Sequence, residues 1–293
     1  MTTAATRLPR VDRGSSPQVV RTRAELRALL AAAPRPLGLV PTMGWLHAGH
    51  ASLIRRARDE SATVVVTIFV NPRQFGEAAD YTRYPRNEAR DLEMCGAEGA
   101  DIVFAPPAEE VYPPGYDTTV HVGAIAEPLE GAARPGHFDG VATVVAILFS
   151  LVRAERAYFG QKDAQQVLVV RRMATDLALG TEVAACPIVR EPDGLALSSR
   201  NVHLSAAERA AAPVLHRALA AGAALHGAGE RDATALRDEI RRVLAAEPLA
   251  RVEYVSCADA ATLEELRTVD RPALLSLAAR FGATRLIDNQ PLG

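Results

Sequence analysis

Two histidines stand three residues apart in PTMGWLHAGH, Pro41 to His50, with Gly49 beside the second. The chain holds 7 histidines in 293 residues, so a pair placed directly after an apolar run asks for a chemical reason. A neutral or protonated imidazole can donate a hydrogen bond to a phosphate oxygen. Gly44 and Gly49 permit a ligand to approach the backbone closely. Other chemistries compete. Zinc would need a third ligand, and none is obvious; HExxH is absent. A nucleophile–histidine pair would need an elbow serine, and GxSxG is absent too. The plainest alternative is a pair of polar loop residues. The full string PTMGxLHxGH is far more specific than a bare HxxH.

The flanking segments must hold this pair in place. PLGLVP (36–41) is a short apolar run bounded by prolines, suited to a buried strand, and HASLIRRARDE after Gly49 has helical period. The histidines thus fall between a strand end and a helix start. Ligands of open α/β sheets bind outside the carboxyl ends of strands. A helix start offers an anion unpaired N–H groups and a positive dipole end.

The rest of the chain continues the alternation. TRAELRALLAAA from Thr22 reads as an N-capped helix and TVVVTIFV (63–70) as a central parallel strand. Residues 87–97 read as helix, DIVFAP (101–106) as strand, and VATVVAILFSLV (141–152) as a buried helix. AYFG, AQQVLVVRRMATDLA and TEVAACPIV follow as strand, helix and strand. This pattern predicts an α/β domain, a parallel sheet with helices on both faces, over residues 17–190. Residues 205–247 carry two Ala-rich amphipathic helices joined by HGAGERD, and RVEYVSCAD, ALLSLAAR and TRLIDN read as strands, so a smaller α+β domain is expected over 191–293. Residues 1–16 are polar, broken by Pro9 and Gly14, and expected to form a mobile tail.

Bulk properties narrow the partners. The formal net charge is -2 with no basic block, which argues against a nucleic-acid binder. Cys95, Cys186 and Cys257 are too scattered for a disulfide framework or a metal knuckle and read as small core residues. Neither a signal-peptide core nor a run of ~20 apolar residues is present, so no membrane association is expected.

Further strings follow in order: TIFVNPRQF (67–75), YPR (84–86), LEGAARPGHFDGV (129–141), FGQKDAQQ (159–166) and REPDGLALSSRN (190–201). Together with PTMGWLHAGH they resemble the pantothenate synthetase (pantoate–β-alanine ligase) family of HxGH nucleotidyltransferases, from residue 36 to residue 202. The C-terminal third is similar in general character only. The resemblance implies a Rossmann-like domain with a C-terminal α+β lid. It also implies ATP-dependent condensation of pantoate with β-alanine through pantoyl adenylate, with release of AMP and pyrophosphate. Mg²⁺ is expected with the ATP, and the family's usual state is a cytoplasmic homodimer.

The chemistry suits these residues. A carboxylate nucleophile is already ionised near neutral pH, so the task is to hold anions together and stabilise the leaving pyrophosphate. His47, His50, Lys162 and Arg200 are the expected catalytic charges. The implied ATP site adds Met43, Gly44, Trp45, Leu46, Ala48 and Gly49, then Gly160, Gln161 and Asp163, then Val189, Leu197, Ser198 and Ser199. Gln74 and Gln166 are the implied pantoate contacts, Gln74 also meeting β-alanine. Asn71 is a further neutral amide suited to pantoate's hydroxyls, and Arg134 with His137 lies on a Gly/Pro-rich loop able to order over a substrate. Pro41, Met43 and Phe69 suit an apolar wall, and Tyr84 matches a position near the site. Asp91 aligns with an acidic position that helps hold Mg²⁺; a solvated helix surface is the alternative, and the metal's ligands are left unassigned. Gln161 replaces the family's common glutamate and removes one charge. Trp45 stands at a variable position and is expected only to pack. The rivals are a transferase of nucleotidyl groups to a phosphate acceptor, which should lack VNPxQF and Gln166, and a nucleotide-binding regulator, which should have lost the histidines or lysine.

Overall fold

A computed structural model describes residues 16–76 and 78–293. Residues 1–15 of the expected tail lie outside the described residues. The chain divides into two compact units, Met1–Gly160 with Val169–Cys186 and Gln161–Leu168 with Pro187–Gly293.

In the first unit, β1 (Gln18–Val20) and α1 (Arg23–Ala32) lead into β2 (Leu37–Thr42), α2 (Ala48–Glu60) and β3 (Thr63–Ile68). Then come α3 (Ala78–Arg83), α4 (Glu88–Ala97), β4 (Ile102–Phe104), α5 (Ala108–Val111), α6 (Glu130–Ala133) and α7 (His137–Val152). β5 (Arg156–Gly160), α8 (Ala164–Asp176) and β6 (Glu182–Cys186) complete the alternation, α8 being divided between the units. The six strands form one parallel sheet in the order β1-β4-β3-β2-β5-β6. From β2 the chain runs outward to β3 and β4, then returns to place β5 on the other flank of β2. The carboxyl end of β2 is therefore the point where strand order reverses, where open α/β sheets bind ligands.

Local sequence explains these elements. Thr22 caps α1 in a reciprocal box with Glu25. Val64, Val65 and Val66 of β3 are 0% exposed, as a strand covered on both faces requires. Val40, Val64, Val66 and Val103 pack with Leu53, Ile54 and Ala57 of α2 and Cys95 of α4. α7 packs on the sheet with α1. β1 is only three residues long, too short for periodicity to announce it. α7 starts at His137, four residues before the expected helix, because Gly136 adopts φ 76 and releases the chain into it.

The second unit contains α9 (Ala206–Ala211), α10 (Val214–Gly227), α11 (Ala233–Ala245), β7 (Arg251–Asp259), β8 (Ala273–Phe281) and β9 (Thr284–Leu292). The first of the two expected helices is divided into α9 and α10, with Pro213, which has no N–H to continue a helix, at the break. The strands form an antiparallel sheet in the order β7-β8-β9. Leu215, Leu219, Leu236, Ile240, Leu275 and Leu277, each 1% exposed or less, form its core. The sequence boundary at 190/191 kept residues 161–168 in the first domain. In the structure Gln161–Leu168 groups with the second unit, where Asn289 of β9 donates to the carbonyls of Gln161 and Lys162, both at 2.9 Å. Among the described residues no helix is long and apolar enough to cross a membrane.

Candidate active site

The loop from β2 to α2 is built by its own hydrogen bonds. Gly44 has φ 79 and Trp45 φ 51, two consecutive left-handed residues that turn the chain sharply. A Cβ on Gly44 would lie 3.0 Å from the Asp91 carboxylate. That carboxylate accepts the backbone N–H of Trp45 at 2.8 Å and of Leu46 at 2.7 Å. Asp91 is 1% exposed, so it is neither a solvated surface group nor open to magnesium; its two oxygens clamp the loop. Burial pushes its carboxyl above the ordinary value, opposed by the N–H groups of Leu46 and Trp45. The sequence held a signal for this: Asp91 and Cys95 share the buried face of α4 at helical spacing. Trp45 has more than packing: the Arg90 guanidinium lies 5.2 Å over its ring.

His47 is the N-cap of α2. Its Nδ1 accepts the Gly49 N–H at 3.1 Å, and the Nδ1 of His50 accepts the His47 N–H at 3.3 Å. The rings lie 4.2 Å apart. An Nδ1 that accepts carries no hydrogen, so in each neutral ring the hydrogen resides on Nε2. Both histidines are therefore Nε2–H donors without needing a positive charge. A metal would require an Nε2 lone pair, which this tautomer lacks. The expectation that backbone N–H groups meet an anion changes accordingly. Those of Trp45, Leu46, His47 and Gly49 are engaged internally.

A second cluster follows β3. Asn71 and Gln74 are 0% and 7% exposed. Asn71 Nδ2 donates to Gln74 Oε1 and to the Gly140 carbonyl, both at 3.0 Å. Its Oδ1 accepts from Tyr112 Oη at 2.7 Å and from the Arg73 N–H at 3.3 Å. With its amide thus saturated, Asn71 cannot reach a substrate as expected without losing a partner. It acts on Gln74, whose Nε2 points to Met43 Sδ at 3.0 Å. Arg134 and His137 meet the Gln74 carbonyl at 3.3 and 2.9 Å. His137 is the first residue of α7 and buried, not part of an open loop. Phe69 is buried with its ring 6.1 Å from Tyr112, and Tyr84 packs edge-on against Phe75. Pro41 is half-buried.

Ala48 opens α2 and Gly160 ends β5, both in the first unit, and the expected residues from Gln161 onward belong to the second. Lys162 is 16% exposed along its side chain, with Nζ 3.5 Å from Asp163 Oδ1. Gln161 donates from Nε2 to Asn289 Oδ1 at 3.2 Å, a bond the family's common glutamate could not donate. Gln166 is half-buried in the first turn of α8. The Leu197 N–H pairs with the Val189 carbonyl at 3.0 Å, and Ser198 Oγ accepts the Arg200 N–H at 3.2 Å, capping a short 3₁₀ turn with Ser199 and Arg200 half-buried. Sequence reasoning missed Tyr112 and Asn289, whose neighbours offered no pattern. Among the described residues no group of three or more His, Cys, Asp or Glu side chains could hold a metal ion. The cysteines are free and buried, as core residues should be.

Comparison with known proteins places this arrangement. A family model described as pantoate-beta-alanine ligase matches residues 18–291. A pantothenate synthetase of Roseiflexus sp. (strain RS-1) is 61% identical over 93% of this chain and 98% of its own length. The pantothenate synthetase of Chloroflexus aurantiacus is 58% identical over 93% and 97%. A crystal structure of pantothenate synthetase from Thermus thermophilus superposes with TM-score 0.89 at 50% identity, covering 93% of this chain and 98% of that one. A pantoate-beta-alanine ligase of Francisella tularensis, complexed with β,γ ATP and β-alanine, superposes with TM-score 0.77 at 31% identity over 94% and 97%.

Proposed function

The chain belongs to the pantoate–β-alanine ligase family, and from that premise we propose how its residues carry out the ATP-dependent condensation of pantoate with β-alanine. The pantoate carboxylate attacks the α-phosphorus of ATP; an O–P bond forms, the bond to the β-phosphate oxygen breaks, and pyrophosphate leaves. The amine of β-alanine, having lost a proton to solvent, then attacks the acyl carbon of pantoyl adenylate. A C–N bond forms, AMP departs with its oxygen, and the nitrogen releases one further proton, keeping one as the amide N–H.

One observation carries the division of labour: both Nδ1 atoms of the histidine pair accept backbone N–H groups. His47 and His50 then offer Nε2–H to phosphate oxygens as the charge builds, without a prior protonation step. Lys162 and Arg200 supply fixed positive charge, and the Ser198 and Ser199 hydroxyls orient the phosphates. Gln74 and Gln166 address pantoate, Gln74 through the Nε2–H now resting on a weak sulfur acceptor. Arg134 steadies Gln74 through its carbonyl. Met43, Gly44, Trp45, Leu46, Ala48 and Gly49 line the nucleotide, with Gly160, Gln161, Asp163, Val189 and Leu197.

Magnesium enters with the nucleotide as part of the substrate and neutralises phosphate charge; the described residues form no acidic cage for a resident ion. A cytoplasmic homodimer whose C-terminal domain closes as a lid completes the reading, and sedimentation of the purified chain checks the dimer. The deciding experiment measures AMP formation while each substrate is omitted in turn. AMP should require pantoate, β-alanine and ATP together. Equal AMP formation without pantoate overturns the reading.

A further inference from the structure

We propose that Tyr112 is a positioning residue for pantoate, acting through the orientation of the Asn71 and Gln74 amides. The inference rests on the reading of Gln74 as a pantoate contact and names a side chain that holds in place the amide pair presenting Gln74 Nε2 to the substrate.

The two ends of an amide are alike in shape and differ in hydrogen-bonding sense. The Gly140 carbonyl can only accept, so the Asn71 atom 3.0 Å away is Nδ2. The Arg73 N–H can only donate, so the atom it faces at 3.3 Å is Oδ1. Those partners set Asn71. The second Nδ2 hydrogen goes to Gln74 Oε1 at 3.0 Å. Gln74 therefore turns its Nε2–H the other way, toward Met43 Sδ at 3.0 Å. Sulfur is a weak acceptor, so that N–H readily exchanges its hydrogen bond for one to a carboxylate or hydroxyl oxygen.

The Arg73 bond is long, and the short contact on Asn71 Oδ1 is the Tyr112 hydroxyl at 2.7 Å. Tyr112 is itself held. The Arg73 guanidinium lies 5.4 Å from its ring centroid, and the rings of Tyr116 and Phe69 lie 5.1 and 6.1 Å away. Burial raises the phenol above its ordinary value, so the hydroxyl keeps the proton it donates. The path Tyr112 to Asn71 to Gln74 is a set of senses as well as distances: reversing one amide would set donor against donor.

The test is Tyr112→Phe in the full chain, which deletes one hydroxyl and leaves the ring in its aromatic cluster. The pantoate KM should rise about tenfold, the scale of one lost hydrogen bond, with the ATP KM unchanged. In a Gln74→Ala background the same substitution should produce no further rise, because its route is gone. A merely structural role would raise both substrates' KM together, or cost equally in both backgrounds. Either result overturns the proposal, as does a pantoate KM for Tyr112→Phe equal to wild type. If Gln74→Ala itself leaves the pantoate KM unchanged, the assignment of Gln74 fails, and the inference with it.

Discussion

The Asp91 carboxylate accepts the backbone N–H of Leu46 at 2.7 Å, one residue before the first histidine of the pair. The second oxygen takes the N–H of Trp45. An acid buried in a helix thus shapes the loop that presents the histidines. Asp91→Asn keeps the volume but sets an NH₂ group against one of those N–H groups. The expected cost is roughly 1–3 kcal/mol of stability, the range for a buried donor left without its acceptor. Misplacement of His47 should lower kcat by about 10²-fold. Thermal unfolding and steady-state kinetics check both; wild-type turnover would detach Asp91 from the site.

His47 caps α2 through Nδ1, and in the proposed mechanism it has a second, separable task, donating through Nε2. Asparagine mimics the first and lacks the second. His47→Asn should keep the melting temperature near wild type, while His47→Ala should lose about 1 kcal/mol, the usual value of a cap. Both should lose about 10²-fold in adenylate formation, the scale for one removed stabilising donor. Equal melting temperatures for the two variants would refute the capping role.

Asn289 grips the main chain at Gln161 and Lys162. Asn289→Ala should destabilise by roughly 1–3 kcal/mol, since two carbonyls lose their donor. It should also lower kcat by loosening Lys162, with the pantoate KM little changed. Gln161→Glu should weaken the same junction, because a carboxylate cannot donate to Asn289 Oδ1. If turnover in Asn289→Ala matches wild type, Lys162 does not depend on this strand.

Acid stability should depend on Asp259. The N–H of Ala261, the Arg271 guanidinium and the N–H of Thr262 hold its carboxyl down, to about 2. A depressed carboxyl stabilises the fold above its unfolded value, near 4, and that stability is lost as pH falls toward 2. Allowing for solvent screening, the contribution is on the order of 1 kcal/mol. Asp259→Asn should be less stable at neutral pH and converge with wild type near pH 2; a constant difference across that range would exclude the linkage. Asp91 has the opposite sign. Its raised carboxyl binds a proton more tightly in the folded chain, so its own contribution falls as pH rises above the ordinary carboxylate value.

Much of this protein could be read before any coordinates. TVVVTI is wholly β-branched and carries no charge on either face, so it reads as a strand covered on both sides, as it is. The Ala-rich segments after Ser205 keep helical period, and the run from Pro41 to His50 points to nucleotide binding by its residue types. These properties depend on neighbours within a turn or two, which is the range over which period and propensity act.

What the tertiary structure decided lies beyond that range. Asp91 meets a loop some 45 residues upstream in the chain, Tyr112 meets Asn71 at a separation of 41, and Asn289 meets Gln161 across 128. Tertiary packing brings α4 against the loop after β2, and it seats α7 on the turn carrying Gln74. A carboxylate, an amide or a phenol looks the same in sequence whether it faces water, substrate or another chain segment. Its role follows from which donors and acceptors surround it, and only the packed chain supplies those.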